Sequence, residues 1–275
     1  MQAKKYPFAV RLIGFEGTEG AQISAMLTLA PSLGPAYFCL LEDSLQEPDL
    51  YIANGSDVRS LAALAAANPS ARQPALIVGA AAVDLPYEHI ERPLDPGRLF
   101  VLLQRMVDQR ADEIAKITAR GLPDVPERRR RRRPDFDLTD PSDYLKMRKT
   151  PPGGAVLIVD RGPSCRDHVA RLLAPRKVEV EWTDSASAAI RLCDETPVSV
   201  VLVNTSTPEV DPYALCASIK GLAGAARIAV VFLVGSDFHY DPARARAVGV
   251  RGLLDKPIAD RHLSATIKRL LSLPL

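Results

Sequence analysis

Six consecutive arginines, Arg128, Arg129, Arg130, Arg131, Arg132 and Arg133, concentrate more chemistry than any other stretch of the chain. Adjacent guanidiniums repel one another, so such a run stays extended until an anion meets it. Each guanidinium offers a planar fork to phosphate or carboxylate and a face that stacks on purines. No aromatic residue lies within the run, so the platform for stacking single-stranded bases is missing. Four readings stay open: a solvated spacer, a contact for an acidic protein or anionic membrane surface, a site for a nucleotide second messenger, and a salt-sensitive, non-specific contact with nucleic acid.

Other residue types that carry chemistry are dispersed. His89, His168, His239 and His262 have no Cys, Asp or Glu at metal-ligand spacing. Cys39, Cys165, Cys193 and Cys216 form no CxxC pair, and their apolar surroundings read as buried thiols of a reducing compartment. Gly14-Phe15-Glu16-Gly17 lacks the following Lys-Ser/Thr of a phosphate-binding loop. No Ser or Cys has a recognisable base beside it. These absences predict a chain with no metal and no enzymatic activity.

Composition narrows the classes further. The 275 residues are 47% hydrophobic and 25% charged, which excludes wholesale disorder. The net charge of +2 contains the six arginines, so the rest of the chain is at −4; the body is not one built to wrap nucleic acid. The two lysines near the start precede no apolar h-region, which predicts no signal peptide. The longest apolar runs, such as Ile228 to Val234, suit a strand and fall far short of the roughly 20 residues that span a bilayer.

The elements that must position these residues alternate between strand and helix. In the C-terminal part, apolar runs at Ala155–Val159, Val178–Trp182, Val198–Val203, Ile228–Val234 and Gly252–Leu254 read as strands. Helical stripes follow them, through Cys165 to Leu173, Ala186 to Cys193, Tyr213 to Ile219, Arg244 to Val248, and Leu263 to Leu271. Continuous apolar strands imply burial on both faces of a parallel sheet, and therefore a doubly wound α/β fold with its site at the carboxyl ends of the strands. The N-terminal part repeats the scheme: strands at Phe8–Phe15, Ala36–Leu41, Asp49–Ala53, Pro74–Val78 and His89–Glu91, and helices at Ala21–Leu29 and Val58–Ala67. The gaps after its second and fourth strands are too short for a full crossover helix, so helices two and four are expected to be reduced. A long last helix, from Leu99 past Ile117, is expected to end near Gly121. The expected organisation is a domain at 1–120, a Pro/Arg-rich linker at 121–153 with a short helical turn over Asp140–Met147, and a domain at 154–275.

With Asp160 ending its first strand and Lys256-Pro257 following its fifth, the stretch from Gly154 to Leu275 resembles the response-regulator receiver domain, the CheY-like family. Phe8 to about Asp112 resembles a more divergent receiver, through Pro48-Asp49-Leu50-Tyr51-Ile52-Ala53-Asn54 and Arg92-Pro93-Leu94-Asp95-Pro96. The resemblance implies two (βα)5 domains, cis peptide bonds before Pro93 and Pro257, and a bacterial cytoplasmic signalling setting.

Receivers accept a phosphoryl group on an Asp at the end of strand three. Mg²⁺ is held by acids after strand one, and a Thr/Ser after strand four and a Lys after strand five contact the phosphoryl oxygens. Carried over residue by residue, the acceptor positions hold Asn54 and Asn204, the Thr/Ser positions hold Gly79 and Val234, and the Lys position holds Arg92 and Lys256. Asp160 is followed by Arg161 where a second acid is usual, and the first domain offers only Glu16 after Gly14-Phe15. Arg161 is expected where the metal would sit. Lys256 is read either as a remaining switch contact to Asn204 or Asp160, or as a structural partner of Asp160.

The resemblance then implies a pair of pseudo-receivers not switched by phosphorylation, serving as a non-catalytic signalling adaptor that docks on protein partners. The usual docking face would be roughly Pro242 to Leu271 in the second domain. The reduced fourth helix of the first would bare apolar surface around Ala80 to Leu85, to be covered by the rest of the chain, by a partner or in a homodimer. The alternative is a cyclic-di-GMP effector using Arg128–Arg133.

Overall fold

The computed structural model describes residues 6–15, 17–31, 34–80, 85–119, 154–222 and 227–271. They divide into two compact units. One holds residues 6–41 and 47–119; the other holds Glu42–Gln46 and residues 154–271. The Arg128–Arg133 run, the expected turn at Asp140–Met147 and Glu16 lie outside the described residues. Among the described residues, no helix is long and apolar enough to cross a membrane.

The first unit runs β1 (Phe8–Ile13), α1 (Gly17–Thr28), β2 (Tyr37–Cys39), β3 (Leu50–Asn54), α2 (Val58–Ala67), β4 (Ala75–Val78), β5 (Glu88–Ile90) and α3 (Pro96–Ala119). Its five strands are all parallel, in the order β2-β1-β3-β4-β5. No helix separates β2 from β3. None lies among the described residues between β4 and β5, where residues 81–84 fall outside the description. The reduction expected after the second strand is therefore present, and after the fourth the described residues contain no helix.

Strand alternation explains how one sheet feeds two cores. Leu50 and Ile52 of β3 face one side, with Ile23 and Leu27 of α1 and Leu99 and Leu103 of α3. Tyr51 and Ala53 face the other, against Leu61 and Leu64 of α2. That second face has one described helix, and half-buried Leu85 and Tyr87 pack onto its cluster. Helix α3 is about 36 Å long at 1.5 Å per residue, yet its buried residues all fall between Leu99 and Val107. Its next turn is tied down by Arg110, which bonds Asp49 at 2.7 Å; Asp49 also accepts from the Ala9 N–H at 3.0 Å.

The second unit runs β6 (Ala155–Val159), α4 (Ser164–Leu173), β7 (Val180–Thr183), α5 (Ala186–Glu195), β8 (Val198–Asn204), α6 (Pro212–Lys220), β9 (Ala229–Val234), α7 (Pro242–Val248), β10 (Gly252–Asp255) and α8 (Asp260–Leu270), with a short 3-10 turn, Ala174–Arg176, after α4. Its parallel strands are ordered β7-β6-β8-β9-β10, the same winding as the first unit. Leu157, Val201, Val203 and Phe232 pack against α5, α6 and α7 on one face; Val156, Ile158, Leu202 and Leu254 pack against α4 and α8 on the other. Asp211 and Asp241 cap α6 and α7 through their carboxylates, each followed by a proline in the first turn, where a missing N–H costs nothing.

Candidate functional site

A winding order that starts at an inner strand and reverses leaves a crevice at the carboxyl ends of the first and third strands. In both units the residues singled out in the sequence lie at this end, but the two crevices are filled differently.

In the first unit the crevice is occupied by one side chain. Arg92, two residues beyond β5, donates from Nη2 to Asn54 Oδ1 at 2.9 Å. Its Nη1 donates to Ser56 Oγ at 3.0 Å and to the Val78 carbonyl at 3.1 Å, and its Nε donates to Glu19 Oε1 at 2.8 Å. All three nitrogens of the fork are engaged. Asn54 is held on its other side, with Nδ2 donating to the Gly14 carbonyl at 3.0 Å and Oδ1 accepting from the Ser56 N–H at 3.1 Å. Gly79 makes room for the guanidinium: its φ is +86°, and a Cβ there would lie 2.1 Å from Arg92 Nη1. Glu19 sits in the first turn of α1, where the positive end of the helix favours a carboxylate. Asp57, the cap of α2, accepts from the Arg59 and Ser60 N–H groups and the Ser60 hydroxyl. The Ser60 hydroxyl bond first, then the Arg59 N–H, hold its carboxyl below the usual range.

In the second unit a linear relay takes the place of the plug. Lys256 Nζ donates to Asn204 Oδ1 at 2.5 Å, and Asn204 Nδ2 donates to Asp160 Oδ1 at 2.7 Å. The same Asp160 oxygen accepts the Arg161 backbone N–H at 2.7 Å. It is thus the main chain of Arg161, and not its exposed side chain, that bonds Asp160. Of the two readings of Lys256, the direct bond is to Asn204. Val234 ends β9, is buried and carries no hydroxyl toward the crevice. Burial pushes the Lys256 ammonium down, while the charge of Asp160 opposes the shift. Burial, with Asp160 adding to it, pushes the Cys165 thiol up. Both peptide bonds before Pro93 and Pro257 are cis.

Several participants had no distinct signal in the sequence. Glu19 and Ser56 reach Arg92 across 73 and 36 residues. Trp182 donates its indole N–H to the Asp160 carbonyl at 2.9 Å, and Thr207 donates to the Asn204 carbonyl at 2.8 Å. The acidic first turn of α1 was the one legible hint for Glu19. Among the described residues, no group of three or more His, Cys, Asp or Glu side chains is arranged to hold a metal ion.

Residues 156–268 match the model of the response regulator receiver domain. The chain is 28% identical over 123 residues to Protein PilG of Pseudomonas aeruginosa, a match covering 44% of this chain and 90% of PilG. It is 29% identical over 116 residues to Response regulator PleD of Caulobacter vibrioides, covering 42% of this chain but a quarter of PleD. Among solved structures, the receiver domain of a signal transduction histidine kinase from Syntrophus aciditrophicus is 29% identical, with 44% of this chain and 91% of that one covered and a TM-score of 0.38. The chemotaxis response regulator CheY4 of Vibrio cholerae is 21% identical, with 42% and 98% covered and a TM-score of 0.38. Residues 156–268 are a response-regulator receiver domain, and the first unit repeats its strand order.

Proposed function

We propose that this chain is a non-catalytic signalling adaptor whose two receiver-type units do not accept a phosphoryl group and act by docking on proteins. The carrying observation is that both acceptor positions hold amides already committed to a cation, Asn54 to Arg92 and Asn204 to Lys256. An amide oxygen is neutral and its nitrogen lone pair is delocalised, so neither attacks phosphorus as a carboxylate does.

The Mg²⁺ that receivers employ does not fit the residues present. Magnesium takes hard, largely anionic oxygen ligands. In the first unit the Arg92 guanidinium lies against Asn54, and Glu19 is spent on that guanidinium. In the second unit the acceptor oxygen of Asn204 faces the Lys256 ammonium, and Asp160 already accepts two hydrogen bonds. A docking role is in keeping with crevices whose acceptor-position amides are already bonded to a cation.

The test is incubation of the purified chain with acetyl phosphate and Mg²⁺, followed by intact mass measurement. The expected result is no adduct. A stoichiometric, base-labile adduct of one phosphoryl group would overturn the reading. The alternative, a cyclic-di-GMP effector, rests on Arg128–Arg133. Calorimetric titration at two salt concentrations separates the two. Saturable binding that survives high salt and is lost when the six arginines become serines supports the effector; no binding, or binding that any polyanion reproduces, supports the adaptor.

A further inference from the structure

The edge of β10 in the second unit is not bare. The segment Glu42–Gln46 lies along it and belongs to that unit by its contacts. Ser44 pairs with Leu253 in parallel register. The Leu45 N–H donates to the Leu253 carbonyl at 2.9 Å, and the Leu253 N–H donates to the Asp43 carbonyl at 3.3 Å. This is the parallel ladder pattern, one residue bonding to both neighbours of its opposite number.

Three side chains and one missing side chain give the edge a reading frame. The Tyr240 hydroxyl donates to Asp43 Oδ2 at 3.0 Å, and Arg246 lies 3.8 Å from Asp43 Oδ1. Arg269 Nη2 donates to the Leu45 carbonyl at 2.9 Å. The Leu45 side chain packs on the cluster that includes Leu254, Leu263 and Ile267. Gly252, at φ +151°, lets it approach: a Cβ there would lie 2.7 Å from Leu45 Cγ and 3.0 Å from the Asp43 carbonyl oxygen. The edge therefore recognises an acidic residue by a hydroxyl and a guanidinium, backbone by hydrogen bonds, and a leucine by a glycine-floored apolar seat. The occupant belongs to a connection with no helix or strand of its own, and main-chain bonds, side-chain bonds and apolar contact hold it together on the edge.

We propose that the β10 edge is a strand-acceptor site for an extended peptide of the pattern Asp, small residue, Leu, and that Asp43-Ser44-Leu45 is its resident ligand. A partner protein carrying that pattern in extended form docks by taking the resident's place, with main-chain bonds giving affinity and the two pockets giving specificity. The inference rests on the docking half of the proposed function and is independent of the phosphorylation half.

The experiment uses the full chain and a fluorescein-labelled peptide copying residues 41–47. In the wild type the tethered resident competes at high effective concentration. The variant Asp43→Ala with Leu45→Ala weakens the resident. The expected result is saturable binding to the variant at least tenfold tighter than to wild type, lost when the peptide leucine that copies Leu45 is changed to alanine. Equal binding to both chains, or equal binding of the altered peptide, would overturn the proposal. A second readout needs no variant: excess peptide should speed amide exchange at Leu45 and leave Leu253 protected. Unchanged exchange at Leu45 under saturating peptide would refute it. A negative result here together with a clean mass spectrum would remove this site and leave the phosphorylation-independent adaptor standing.

Discussion

The plug in the first crevice predicts a strong coupling between two residues that look unrelated in sequence, Gly79 and Arg92. Changing Arg92 to Met keeps much of the side-chain volume and removes four hydrogen bonds. The Glu19 pair is about one-third exposed on both sides and contributes little. The other three bonds give a cost of about 2–3 kcal/mol at roughly 1 kcal/mol each. Changing Gly79 to Ala carries two penalties. A Cβ at positive φ costs about 1–2 kcal/mol. The same Cβ, 2.1 Å from Nη1, displaces the guanidinium and removes the bonds to Ser56 and Val78, about 2 kcal/mol more. In the Arg92→Met background only the backbone penalty remains, because nothing is left to displace. The double variant should therefore be about 2 kcal/mol less destabilised than the sum of the singles. Trp182, the one tryptophan, reports on the second unit, so fluorescence is the wrong probe. Native-state hydrogen exchange at the amides of Leu76, Ile77 and Val78 in β4 reads the first unit directly. Additivity within about 0.5 kcal/mol would refute the reasoning, since it would mean that Gly79 and Arg92 do not share that space.

Two further outcomes follow from the same geometry. Asp49→Ala leaves Arg110 buried against an emptied site, with a side chain only 12% exposed; a loss of about 3–5 kcal/mol is expected. Asp49→Asn also loses stability, because its one oxygen can accept from either the Ala9 N–H or Arg110 while its NH2 faces the other donor; an Asn variant as stable as wild type in urea denaturation would contradict the assignment. Asp57 has a folded-state pKa below its unfolded one, first through the Ser60 hydroxyl and then the Arg59 N–H. Its stabilising effect is present above the usual carboxylate range, near pH 4, and is lost as pH falls through the folded value. Asp57→Asn keeps an acceptor and cannot titrate. The stability difference between wild type and this variant should shrink steadily below about pH 4; a difference that widens on acidification would show that the sign is wrong.

The pattern of apolar runs and helical stripes was enough, by itself, to determine two doubly wound sheets, because continuous burial on both faces leaves a parallel sheet as the packing solution. Chain length between strands also sufficed to anticipate that no full crossover helix separates β2 from β3. The positions of Asn54, Asn204, Arg92 and Lys256 were legible because strand ends are local features and the family pattern indexes them. Which cation meets which oxygen was not legible. Arg92 reaches four partners at two separate strand ends and a helix start, and Gly79 becomes necessary only once that guanidinium is in place. Nor was it legible that Asp160 would take the Arg161 backbone N–H and the Asn204 amide on one oxygen, leaving the Arg161 side chain exposed. The fate of Glu42–Gln46 depended most fully on tertiary structure. Its residues carry no strand periodicity, and what pairs Ser44 is an edge contributed by residues more than 200 positions later. Pairing of that kind is set by free hydrogen-bonding groups in space, and sequence neighbours do not encode it.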